Sequence, residues 1–182
     1  MDFHEQLQDM IYASARDSFA MMAITPELVS DKIEPLDEYG LISTILFKGR
    51  LVGKINVFLF KEGAAKIVSL MLDKDVSPES HDTQDGIGEI CNIIIGGVKQ
   101  RCVSDGYDFD ISIPSTRFTS EFKPQQPLQG DLIMMTFNCN GVEMHISFAY
   151  QLKELEAPKE QPAPVKSNAA AMLEALMKKK KG

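Results

Sequence analysis

The chain reads as an α+β domain, an antiparallel sheet with long helices packed on one of its faces. Two pairs of strand-like runs, Leu41–Phe47 with Leu51–Phe60 and Asp131–Phe137 with Val142–Tyr150, are each joined by a short turn, as antiparallel hairpins are. Two longer segments, near residues 2–22 and 83–103, repeat apolar residues at helical spacing. The glycines at 86 and 88 lie inside or at the start of a helical segment and do not follow a strand, so a Walker-type or Rossmann nucleotide site is not supported.

Taken in order, Asp2 and Glu5 have the offset of a capping box, with Asp in place of the usual Ser or Thr. Phe3, Leu7, Met10, Ile11 and Met21 then form one apolar stripe, interrupted by the small residues Ser14 and Ser18. A polar stretch precedes the first hairpin, which turns at Lys48-Gly49-Arg50. Leu51, Gly53, Ile55, Val57 and Leu59 share one face of its second strand. Glu62–Leu72 reads as a short helix and Asp73–His81 as a polar connector. The long helix from about Thr83 to Val103 stops at Ser104-Asp105-Gly106. Asp108–Ile113 follows as a strand that Pro114 ends, and Phe118–Phe122 is a candidate short strand. In the second hairpin, Asn140-Gly141 is a strong turn signal; Met144, Ile146 and Phe148 point one way and Glu143, His145 and Ser147 the other, which predicts one wet sheet face.

The composition changes at Lys153. Residues 153–166, rich in Glu, Lys and Pro, read as an extended linker after a folded domain spanning 1–152. Residues 167–182 read as a short amphipathic tail, in which Ser167 or Asn168 could cap a helix over Ala169–Lys181 ending in Lys178–Lys181. At that length such a helix is marginal alone in water, so the tail is either a frayed solubilising end or a tethered peptide that docks on a partner or on its own domain.

Of 182 residues, 44% are hydrophobic and 25% charged, as in ordinary soluble domains. The net charge of −7 argues against nucleic acid or an anionic membrane as the main partner. No apolar run is long enough to span a bilayer, and the start of the chain lacks the basic-then-apolar pattern of a signal peptide, so a cytoplasmic location is expected. Cys91, Cys102 and Cys139 form no CxxC pair, and His4, His81 and His145 share no metal-ligand spacing. A cysteine or zinc hydrolase is therefore disfavoured, and the three histidines read as solvated or structural.

One helix has a face that packing does not explain. At about 100° per residue, Asp85, Glu89, Asn92, Gly96 and Lys99 fall within an arc of about 80°. Ile87, Ile90, Cys91, Ile94 and Val98 occupy the other side. Asn is a poor helix-interior residue, because its side chain competes for nearby backbone groups. Here it sits one turn from a carboxylate and above a bare glycine.

These residues resemble a known signature. Asp85-x3-Glu89-x2-Asn92, followed by Pro114 after a strand, is similar to the motif of the CheC/CheX/FliY phosphatases of bacterial chemotaxis. The surrounding Gly88-Glu-Ile-Cys-Asn-Ile-Ile-Ile-Gly96 and Ile111-Ser-Ile-Pro114 resemble CheX most. The likeness runs from residue 1 to about 150. CheC-type relatives usually carry the motif twice; here the early helix offers only Glu5-x-x-Gln8, which favours one site and the CheX branch. Two departures stand out: the gap from Asn92 to Pro114 holds 21 residues, about one fewer than in the family pattern, and Gly97 stands where CheX sequences often have Asn.

The resemblance implies hydrolysis of the phosphoaspartate of a CheY-type response regulator, ending a chemotaxis signal. Asn92 would position the attacking water and Glu89 would pair with the regulator's active-site lysine. Asp85, Gly96, Lys99 and Pro114 would support docking, Asp85 by helping to cap or orient the helix start, Gly96 by permitting close approach and Pro114 by fixing the strand end beside the helix. It implies no metal or cofactor of the chain's own, Mg2+ being carried by the regulator, and a homodimer. The other class consistent with the same face is a non-catalytic adaptor that binds a response regulator or flagellar switch component.

Overall fold

The computed structural model describes residues 2–20 and 22–153. Met21, the linker beyond Lys153 and the tail at 167–182 lie outside the described residues. The order of elements is α1 (Phe3–Ala20), β1 (Pro26–Ser30), β2 (Gly40–Gly49), β3 (Leu51–Phe60), α2 (Lys61–Leu72), α3 (His81–Ser104), β4 (Phe109–Ile111), β5 (Ser115–Thr119), β6 (Asp131–Cys139) and β7 (Glu143–Leu152).

The strands form one antiparallel sheet in the order β1-β6-β7-β3-β2. The outer edge of β2 is shared by two short strands, β5 on Gly40–Thr44 and β4 on Phe47–Gly49. Between them Ser112-Ile113-Pro114 leaves the ladder, because proline cannot donate to it. The gap is bridged by the Ser112 amide donating to the Leu46 carbonyl (2.8 Å) and the Leu46 amide donating to Ser112 Oγ (3.1 Å).

All three helices lie on one face of this sheet. Leu41, Ile45, Ile55, Val57, Ile146 and Phe148 point toward them and are fully buried or nearly so. They meet Leu7, Ile11, Ala15 and Phe19 of α1 and the apolar side of α3 in a single core, each large side chain contributing about 2 kcal/mol. The capping box on α1 forms as read: Asp2 Oδ1 accepts from the Glu5 amide (2.9 Å) and Glu5 Oε2 from the Asp2 amide (3.2 Å). The hairpin turn also forms, with Asn140 and Gly141 at φ 54° and 82°.

Three expectations need correcting. The polar stretch before the first hairpin contains β1, an edge strand that opens on Pro26 and leaves Leu28 and Val29 exposed, so no alternation marks it. The candidate strand at Phe118–Phe122 lies earlier, at Ser115–Thr119, and Phe122 makes only an isolated bridge to Leu36. The second sheet face is not uniformly wet, and of the two readings for His145 the structural one holds. Ile33, Leu36 and Phe122 fold over Ile42 and Phe58 on that face. His145 beside them is buried, its Nδ1 3.0 Å from Thr136 Oγ1.

Candidate active site

Helix α3 begins at the Ser80 cap, whose Oγ accepts from the Thr83 amide at 3.2 Å. Asp82 in the first turn accepts from Lys74 Nζ at 2.7 Å, which holds its carboxyl below the usual range. The helix is then seated by glycines. A Cβ on Gly86 would come within 2.6 Å of Val68 in α2, and one on Gly88 within 3.0 Å of Thr116 Oγ1 in β5. At Gly97 it would lie 3.0 Å from Ser14 Oγ in α1. Close approach on these sides needs the missing side chain. Arg101 reinforces the last seat, donating to Ser14 Oγ (3.2 Å) and Asp17 Oδ2 (2.6 Å).

The fourth side is open, and it holds the residues singled out in the sequence. Asp85 and Glu89 are exposed; Asn92, Gly96 and Lys99 are half-buried. A Cβ on Gly96 would meet nothing within 4 Å. The opposite residues, Ile87, Ile90, Cys91, Ile94 and Val98, are buried as expected. Pro114 is brought alongside: its Cβ and Cγ lie 3.7 Å from where a Gly88 Cβ would be, one residue before Glu89. Lys99 Nζ lies 3.7 Å from Oδ1 of Asp110 in β4. Asp85 does not cap the helix, which starts a full turn earlier. It sits 3.2 Å from His81 Nδ1 instead. Among the described residues no hydrogen bond or ion pair engages the Glu89 carboxylate or the Asn92 carboxamide, so both are free for a partner.

One residue escaped the sequence reading. Ile113, in the bend just before Pro114, is 87% exposed. The only sign of it was an apolar residue trapped before a proline, where neither strand nor helix periodicity assigns a face. Elsewhere the chemistry is quiet. Cys91, Cys102 and Cys139 are buried, and their thiols are pushed up to about 12 by burial, which makes them poor nucleophiles. Among the described residues no three His, Cys, Asp or Glu side chains converge in a metal-binding arrangement. On α1, Glu5 is committed to the cap, so Glu5-x-x-Gln8 offers no second free pair.

The open side of α3 thus bears a carboxylate and, one turn on, a carboxamide, neither paired among the described residues. The family model described as "Chemotaxis phosphatase CheX" matches residues 41–138, more than half of the chain, from β2 through β6. The chain belongs to the CheX family. Solved structures agree on the fold of this family. Chemotaxis protein CheX from Vibrio vulnificus superposes with a TM-score of 0.72 at 20% identity, over 83% of this chain and 100% of that one. CheX from Desulfovibrio desulfuricans gives 0.68 at 20%, over 80% and 99%. The CheX in a CheX–CheY–BeF3–Mg2+ complex from Borrelia burgdorferi gives 0.63 at 18%, over 82% and 98%. No curated protein matches.

Proposed function

We propose that this CheX-family chain hydrolyses the phosphoaspartate of a CheY-type response regulator. The observation behind this reading is the free, pre-positioned Glu89–Asn92 pair on the open side of α3. A CheX relative has been crystallised with CheY, BeF3 and Mg2+. That supports a CheY-type partner and a metal ion that arrives with it.

In the proposed reaction, the ridge enters the cleft around the phosphoryl group. The Asn92 amide oxygen accepts a hydrogen bond from one water and aims its oxygen at phosphorus. The water oxygen bonds to phosphorus, the bond from phosphorus to the aspartyl oxygen breaks, and the water proton leaves on phosphate. Phosphoryl transfer through a loose transition state rewards positioning more than a strong base, so a neutral carboxamide suffices. Glu89, one turn earlier, pairs with the regulator's active-site lysine and sets the register of insertion. Gly96 leaves room for the partner's backbone, Asp85 and Lys99 bracket the ridge with charge, and Pro114 holds the strand end against it.

The test is to load a regulator from the same cell with a small phosphodonor and time phosphate loss. Asn92→Ala should slow the accelerated decay about a hundredfold while changing affinity only a few-fold. If the intact protein binds the phosphorylated regulator without hastening decay, the adaptor reading replaces this one. We further propose a cytoplasmic domain spanning residues 1–152 and a homodimer paired through a sheet edge. The β1 edge and the β4–β5 edge both have unpaired backbone groups among the described residues. Light scattering should return twice the chain mass; a monomer at every concentration would overturn the dimer.

A further inference from the structure

The sheet face turned away from the helices holds a cavity of about 360 Å3. It is built unlike the rest of that face. One row across the sheet, Ile42, Phe58, His145 and Thr136, is covered by Phe122 and its neighbours. The next row runs Ser115, Thr44, Asn56 and Ser147, polar across four strands, and ends at Met134 of β6. Asn is depleted in strands, and a central strand buried on both faces ordinarily carries Val or Ile. Asn56 nevertheless sits at the cavity floor, only 8% exposed, with Ser147 at 1%.

Their hydrogen bonds leave capacity unspent. Thr44 Oγ1 donates to Asn56 Oδ1 (2.8 Å), and Asn56 Nδ2 donates to Ser147 Oγ (3.0 Å). That leaves the second N–H of Asn56 and the O–H of Ser147 without an acceptor among the described residues. Two buried donors side by side at the base of a cavity call for an acceptor.

Charge points the same way. Lys54 sits one row to one side of the polar row, and Arg117, paired in register with Ile42, one row to the other. Both line the cavity, and neither has an ion-pair partner among the described residues. Of the other charged lining groups, Glu121 and Lys123 neutralise each other at 2.9 Å, and Lys123 also reaches Asp37 at 3.2 Å. A chain of net charge −7 therefore gathers two unspent cations around two unspent donors.

We propose that this cavity binds a small organic anion. Its carboxylate or phosphate head accepts from Asn56 and Ser147 between Lys54 and Arg117, and its apolar body lies against Leu132 and Ala149. The site faces away from the α3 ridge, so it is separate from the phosphatase site and does not depend on it.

The test uses the full chain, isotopically labelled, titrated with inorganic phosphate and with succinate against sodium chloride of equal ionic strength. Saturable shifts should appear at the Asn56 side-chain amide and at the backbone amides of Lys54, Arg117 and Ser147. Response to phosphate alone identifies a phosphate head, to succinate alone a carboxylate, and to both a general oxyanion site; each supports the proposal. Lys54→Gln with Arg117→Gln, both exposed positions that spare the fold, should weaken the response at least tenfold, and Asn92→Ala should leave it unchanged. The proposal is overturned if chloride reproduces the shifts, if neither anion moves these signals, or if the response survives the double substitution.

Discussion

At the scale of single residues, glycines separate what holds α3 from what α3 offers. Gly86 is seated on Val68, where an added Cβ would lie 2.6–2.7 Å from both methyl carbons. Gly86→Ala should therefore cost about 1–3 kcal/mol through overpacking. Gly96 faces open space, so Gly96→Ala should gain about 0.5–1 kcal/mol from helix propensity yet lower kcat/KM by crowding the partner. Urea unfolding together with regulator dephosphorylation checks the pair. A Gly96→Ala protein that is both more stable and fully active would show that this side of the helix is not the docking face. The same contrast shows where sequence reading stops. The open arc from Asp85 to Lys99 was legible because helical spacing alone defines it. That Gly97 is seated on Ser14 was not, because it depends on where α1 lies.

At the scale of elements, the bend between β4 and β5 carries an exposed isoleucine next to Pro114, which packs near Gly88 of α3. Ile113 is 87% exposed, so Ile113→Ser should leave stability within about 0.5 kcal/mol. If the bend meets the regulator, that change should weaken capture about tenfold, an apolar anchor being worth about 1.4 kcal/mol. Calorimetric titration of the phosphorylated regulator with the Asn92→Ala form measures it, and equal affinities would place the bend outside the interface. Helices and hairpins were readable here because each has its own periodicity and punctuation: the Asp2–Glu5 box, the Asn140-Gly141 turn, the Gly106 stop. The strands β1 and β5 were not. Both are five residues long at sheet edges, and their pairing is decided by β6 and β2 rather than by their own pattern.

At the scale of the whole molecule, stability should answer to pH through His145. Burial lowers its pKa, opposed in part by Glu143 at 3.9 Å. Thr136 Oγ1 donates to the Lys32 carbonyl (3.3 Å), so the ring's proton sits on Nδ1, while Nε2 is buried without a hydrogen-bond partner. The native state thus holds the neutral ring, and the unfolded chain takes up a proton near pH 6.5. The stabilisation is complete above that pH and is lost as pH falls through the lowered native value, with a slope of up to about 1.4 kcal/mol per pH unit. Urea unfolding between pH 7.5 and 5 should show this slope in the native protein and its loss in His145→Gln; parallel curves would discard the assignment. Sequence alternation put His145 on the right face but could not reveal that Ile33, Leu36 and Phe122 fold over the neighbouring part of that face.

The three glycine seats of α3 also have a calorimetric corollary. With Val68, Thr116 and Ser14 already against the helix, its backbone should not have to order on binding the proposed regulator. Association should carry little backbone ordering entropy, and amide protons along α3 should already be strongly protected from exchange in the free molecule.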